Sequence, residues 1–134
     1  MRRQFQLPGT DEDYLVGLGR PWETIIDGGS RWAFMHDWPI VGGYNHAFVS
    51  AAVRIEQGYP DTQLDMVYFS PHLCRADGMT IGALANQSID GTTWQRWSRH
   101  RTGANPWRSG VDDLSSHMLL VDHWLVRELA KRAA

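Results

Sequence analysis

An α+β fold is predicted for this chain: a four-stranded antiparallel meander with a short N-terminal helix and a long C-terminal helix over one face. Three observations predict it. Between Trp22 and Phe69 the apolar residues alternate with the period of a strand. The runs are separated by short turns rich in glycine and proline, which favours antiparallel neighbours. Helical spacing returns only beyond Val111, where Leu114, Met118, Val121, Leu125 and Leu129 form one stripe. The 134 residues are enough for a single domain, 1–134, with a real core.

The first helix is expected after Thr10-Asp11-Glu12-Asp13, read as a capping box with Thr10 as cap, and is expected to stop at Gly17 and Gly19. Trp22 to Ile26 reads as the first strand. Asp27-Gly28-Gly29-Ser30 is a turn, because glycine reaches the positive φ that a tight hairpin requires. Arg31 to Trp38 is the returning strand, with Trp32, Phe34, His36 and Trp38 on one face. His36 could serve as a ligand or base; the plainer reading is a partly buried side chain with a backbone partner.

His46 to Ile55 is the third strand, placing Val49, Ala51, Val53 and Ile55 on one face and Phe48 and Ala52 on the other. The fourth follows the corner Gly58-Tyr59-Pro60 and ends at Ser70-Pro71. Leu64, Met66 and Tyr68 would lie on one side, Asp65, Val67 and Phe69 on the other. Both prolines punctuate, since each removes a backbone donor and holds its predecessor extended. From Pro71 to Gly110 no clean periodicity is read, and a loop of that length is usually functional. The main helix is expected to open at Val111 or Asp112, with His117 in a surface ion pair with Asp113.

Composition narrows the function. The chain is 43% hydrophobic and 21% charged with net charge -2, so no basic excess points to nucleic acid. No window approaches the length of a membrane span, and the N-terminus lacks the apolar run of a signal peptide. Cys74 is the single cysteine, which precludes an internal disulfide and makes a reducing, cytoplasmic home the expectation. The histidines show no metal-ligand spacing, and no glycine-rich nucleotide loop precedes a helix of useful length. No metal and no cofactor are therefore expected.

Two blocks carry a resemblance. Gly58-Tyr59-Pro60 precedes a strand ending at Phe69 and followed by Pro71-His72, and Asn105-Pro106-Trp107-Arg108 leads toward the main helix. With the order of elements, these resemble the ubiquitin-conjugating enzyme fold. Trp94-Gln95-Arg96-Trp97-Ser98-Arg99-His100, with Pro106-Trp107-Arg108 and Gly110-Val111-Asp112, is similar more narrowly to the prokaryotic group labelled family E. The resemblance runs over nearly the whole chain from Leu7. It implies a ubiquitin-conjugating-like protein in a bacterial modifier pathway. Its partners would be a ubiquitin-like modifier, a ThiF-type activating enzyme that performs the ATP-using step, and a deconjugating peptidase.

That chemistry is acyl transfer, in which a cysteine thiolate attacks the modifier's activated C-terminus near an oxyanion donor. The family's His-Pro-Asn turn is here His72-Leu73-Cys74. Counting forward from His72 places the family's cysteine at about Gly82; counting back from Trp107 places it near Arg99, close to Ser98 and His100. The difference implies an insertion of about a dozen residues or more, which a loop tolerates cheaply. Cys74 is the one available thiol. Its first reading is a small buried hydrophobe; the alternative is a reactive thiol activated by Arg75 and His72. Ser98 with His100 as base is a second route, through an oxyester.

Trp94, Arg96, Trp97, Arg99, His100, Arg101, Trp107 and Arg108 interleave aromatic and basic residues. The first reading is packing, with tryptophans holding the loop on the sheet and arginines making cation–π and carboxylate contacts. A protein-binding face ranks second, carried by Trp94, Arg96, Trp97, Arg99, Trp107 and Arg108. Stacking on single-stranded nucleic acid ranks third. A non-catalytic protein that binds the modifier or its activating enzyme remains the alternative to an enzyme.

Overall fold

The computed structural model describes residues 1–132. The chain runs α1 (Gly9–Gly17), β1 (Trp22–Asp27), β2 (Ser30–Pro39), β3 (Phe48–Ile55), β4 (Val67–Ser70), β5 (Leu84–Ile89), β6 (Thr92–Trp97) and α2 (Leu114–Leu129). The strands form one sheet in the order β1-β2-β3-β4-β6-β5, antiparallel at every step. The α+β class and both helices agree with expectation. The sheet has six strands rather than four.

The two extra strands occupy the stretch expected to be irregular. They are joined by Asp90 and Gly91, with φ of 53° and 76°, the two-residue turn whose twist matches that of the sheet. The segment in which the two cysteine counts disagree is thus an ordered hairpin. Its second strand pairs with β4, Val67 facing Trp97 and Phe69 facing Gln95.

The helices cover one face. Val49, Ala51, Val53, Ile55, Val67, Phe69 and Trp97 pack there against Leu114, Met118, Val121 and Leu125 of α2. Leu64 joins them, because Met66 at φ 57° breaks the alternation expected from Leu64 to Phe69. On the opposite face Ile25, Trp32, Phe34, Ala52, Tyr68, Ile89 and Trp94 bury one another. The rings of Trp32 and Tyr68, and those of Phe34 and Trp94, meet at 4.9 Å between centroids. Aromatic area closes this second core without a helix.

Trp38 does not share a face with Trp32 and Phe34. Met35 pairs with Ala51 and Trp38 with Val49, so His36 and Asp37 together oppose Ser50. This is a β-bulge, with Asp37 at φ 53°. It turns Trp38 toward the helix side, where its indole N–H donates to Asp122 at 3.0 Å.

The helix starts also differ from expectation. The capping box at Thr10 is not formed; Pro8 precedes α1, and Glu12 instead accepts from the Leu7 N–H at 3.0 Å. Helix α2 begins at Leu114, not at Val111 or Asp112. Asp113 is its cap: its carboxylate accepts from the Ser116 N–H at 3.1 Å, while the Ser116 hydroxyl accepts from the Asp113 N–H at 3.0 Å.

His117 is not in a surface ion pair. It is 0% exposed, and its Nε2 donates to the Met66 carbonyl at 2.8 Å. The left-handed Met66 turns that carbonyl toward α2. Burial holds the imidazole's pKa down to about 4.

The Tyr-Pro corner ties the ends of the fold together. Tyr59 donates its hydroxyl to Asp11 of α1 at 2.5 Å, and the other carboxylate oxygen of Asp11 accepts from the Leu114 N–H at 3.2 Å. Burial raises the pKa of both the phenol and the carboxyl group. Ser109 donates to Asp61 in the same region. No helix among the described residues is long and apolar enough to cross a membrane.

Candidate functional site

The chain leaves β4 at Ser70 and enters the segment His72-Leu73-Cys74-Arg75. Leu73 and Arg75 point inward, at 1% and 5% exposure, and extended alternation therefore turns Cys74 outward. The cysteine is exposed, not the small buried hydrophobe expected from its position after a strand.

Two amide side chains fix this segment from either side. Asn45, in the connection between β2 and β3, accepts from the Cys74 N–H at 2.8 Å and donates to the His72 carbonyl at 3.2 Å. The Asn45 N–H also donates to the Cys74 carbonyl at 3.0 Å. Gln95 of β6 accepts from the Leu73 N–H and donates to the Leu73 carbonyl, both at 2.9 Å. The same Gln95 oxygen accepts from the Trp97 indole at 2.9 Å. Three consecutive residues thus have their backbones fixed by side chains, and the thiol is presented on a braced loop. An asparagine does reach the segment, but from 29 residues upstream.

Arg75 anchors the loop to α2. Its guanidinium donates to the Glu128 carbonyl at 2.6 Å and to Asp77 at 2.6 and 3.0 Å. A cation on the last carbonyls of a helix is favoured by both unmet hydrogen bonding and the macrodipole. Arg99 reaches the same place, donating to the Glu128 carboxylate at 3.0 Å, and Lys131 does so at 3.1 Å. Glu128, 2% exposed, is the buried anion on which these cations converge. Beside it lies a cleft of about 210 Å³ lined by Arg99, His100, Trp124, Arg127, Glu128 and Lys131.

The other candidates separate. His72 is exposed and holds the segment through its carbonyl, not its ring. Ser98 is partly exposed, and its N–H donates to the Ala83 carbonyl at 3.1 Å. His100 is paired through Nδ1 with Asp65 at 2.9 and 3.0 Å, and no hydrogen bond joins it to Ser98. The oxyester pair is therefore not assembled.

The aromatic-basic block is divided by the sheet. Trp94 and Trp97 stand on opposite faces of β6 at 4% and 0% exposure, so neither offers a ring to a partner. Two of the remaining arginines lie over tryptophans of the block, and Arg108 and His100 meet carboxylates outside it. Arg99 lies over Trp97 at 4.9 Å and Arg101 over Trp107 at 5.0 Å, while Arg108 approaches Asp112 at 3.8 Å. Arg96 is partly buried beside Tyr68 across the ladder. Trp107, half-buried, donates to the Pro60 carbonyl. Packing, the first reading of this block, accounts for its tryptophans.

Sequence reasoning singled out neither Asn45 nor Glu128, and passed over Gln95 inside the quoted block. No spacing marks them, because each acts on a segment 22 or more residues away.

The sheet, the Tyr-Pro corner, the braced loop after β4 and the closing helix define a ubiquitin-conjugating-like class of protein. The model of prokaryotic E2 family E matches residues 7–128, and the chain belongs to that family. No curated protein and no solved structure matches it.

Proposed function

We propose that the protein accepts the C-terminus of a ubiquitin-like modifier from a ThiF-type activating enzyme and holds it for transfer, with Cys74 as acyl acceptor. One observation carries this reading: on the scaffold of this family, the single thiol is exposed on a loop fixed at both edges by Asn45 and Gln95. The Cys74 thiolate would attack the carbonyl of the activating enzyme's thioester. A new S–C bond forms, the activating enzyme's thiolate leaves, and no redox change is involved. An acceptor amine would then displace Cys74. A braced loop suits this exchange, since both steps demand that the sulfur be reached from solvent in a fixed orientation.

A second reading is a non-catalytic protein that binds the modifier or activating enzyme. One observation favours it: among the described residues, the Cys74 sulfur has no hydrogen-bonding base.

The test is incubation with modifier, activating enzyme and ATP, followed by a non-reducing gel. A thiol-labile adduct absent from Cys74→Ser is expected. An adduct that survives thiol and is lost in Ser98→Ala would move the acceptor to the oxyester. Retained binding with no adduct of either kind would leave the binding protein.

A further inference from the structure

On the sheet face away from the helices, Glu23, His36 and Ser50 form a hydrogen-bonded row across β1, β2 and β3. His36 Nδ1 lies 2.7 Å from Ser50 Oγ, and His36 Nε2 lies 2.7 Å from Glu23 Oε2. Glu23 is held in turn by Arg2, whose N–H and Nε donate to Oε1 at 3.3 and 3.0 Å. Arg2 is fixed by Asp90 at the turn between β5 and β6, at 2.7 and 3.1 Å.

The bulge creates this arrangement. Because His36 and Asp37 together oppose Ser50, the imidazole is re-aimed between two neighbouring strands. Burial pushes the Glu23 carboxyl group up, but the bonds from Arg2 and His36 outweigh it and hold the group down at about 2. An ionised carboxylate only accepts, so Nε2 carries the imidazole proton and Nδ1 turns its lone pair to the Ser50 hydroxyl.

We propose that Ser50 is a nucleophile with His36 as its base and Glu23 as the residue that positions the imidazole, taking acyl groups from small carboxylic esters or thioesters. The side chains are accessible: Ser50 is partly exposed, and the His36 ring is 24% exposed. Phe48, two residues away on the same face and 60% exposed, offers an apolar surface for the acyl chain. Ser70 pairs with Ser50 across the ladder, a position from which its hydroxyl would donate to the developing oxyanion.

In the first step Ser50 Oγ bonds to the carbonyl carbon and its proton passes to His36 Nδ1. The bond to the alcohol or thiol then breaks, and His36 returns the proton to that leaving group. Water next attacks the acyl-serine, giving its proton through His36 to Ser50 and releasing the carboxylic acid. This site does not rest on the modifier reading or on Cys74.

The test uses the full chain with a fluorophosphonate probe, read by intact mass and peptide mapping, and with p-nitrophenyl butyrate. The expected result is one phosphonyl adduct on Ser50 together with ester hydrolysis. Both are lost in Ser50→Ala and kept in Cys74→Ser. His36→Gln should slow labelling at least about 100-fold. Glu23→Gln keeps an acceptor for Nε2 but removes the charge facing the imidazolium. It should therefore move the pH profile of labelling to lower pH, since Glu23, itself held by Arg2, is the carboxylate bonded to the His36 ring among the described residues. No adduct at Ser50 in the wild-type chain overturns the proposal, whatever the variants do. Labelling as fast in a folded His36→Gln variant overturns it as well, and an unmoved profile in Glu23→Gln overturns the role of that residue.

Discussion

Trp107 donates its indole N–H to the carbonyl of Pro60 at 3.0 Å, across 47 residues of chain. Its ring also packs on Tyr59 at 6.2 Å, beneath the Arg101 guanidinium. The two blocks that carried the family resemblance are thus in contact. Trp107→Phe should cost about 1 kcal/mol, the net worth of the hydrogen bond. Trp107→Ala should cost about 3 kcal/mol because the packing is lost as well. Urea unfolding of both variants checks the difference.

Glu128 is where the Cys74 loop, the segment after β6 and the end of α2 meet. Glu128→Ala leaves the guanidinium of Arg75, itself 3% exposed, with its helix-side charge gone. Asp77 and the main-chain carbonyl of residue 128 still hold that guanidinium, so the loss is that of charged hydrogen bonds to the carboxylate, about 1.5–3 kcal/mol. Chemical denaturation should show a loss in that range, and faster hydrogen exchange at the backbone of residues 73–77 should accompany it.

His117 makes stability depend on acidity. The denatured chain binds a proton on this histidine near pH 6.5, and the native protein does so only near 4. Between those values the unfolded state holds more protons, so stability is complete above 6.5 and falls as pH drops toward 4. The physical reason is visible: Nδ1 is buried without a partner, so a proton there would be desolvated and unbonded. The contribution is up to about 3 kcal/mol. His117→Leu should flatten the stability profile between pH 4 and 6.5 by about one proton.

The Asp90-Gly91 turn carries the added hairpin. Gly91 has φ 76°, which a Cβ disfavours by about 1–2 kcal/mol, so Gly91→Ala should destabilise by about 1 kcal/mol. The loss should appear in exchange protection of residues 84–97 before it appears elsewhere.

Cys74 should react with a maleimide in the native state without denaturant, because its side chain is exposed. Cys74→Ser should change stability by less than about 0.5 kcal/mol. A thiol protected until unfolding would remove Cys74 from candidacy as acceptor.

Much of the fold was legible. The alternation of Val49, Ala51, Val53 and Ile55 and the stripe of Leu114, Met118, Val121 and Leu125 report burial directly, because a face pressed on a core must be apolar at the period of its backbone. The hairpin of β5 and β6 was also written locally, in Asp90-Gly91, but its strands alternate weakly: Ala85, Asn86, Gln87 and Ser88 are short or polar. The candidate site was less legible. Cys74 was visible as a residue, yet its exposure depends on Leu73 and Arg75 both being drawn inward.

By itself the sequence determined the α+β class, the two helices, the meander, the Tyr-Pro corner and the family, all properties of local pattern or contiguous motif. The tertiary structure alone decided the rest. A bulge at His36 and Asp37 moved Trp38 to the helix side and set His36 between Ser50 and Glu23. Asn45 and Gln95 were brought to a loop far along the chain, and Arg75 and Arg99 to one buried glutamate, the first at its carbonyl and the second at its carboxylate. Such contacts join residues 13 to 53 positions apart, where no periodicity operates. They are fixed by strand register and by the need to satisfy every buried polar group.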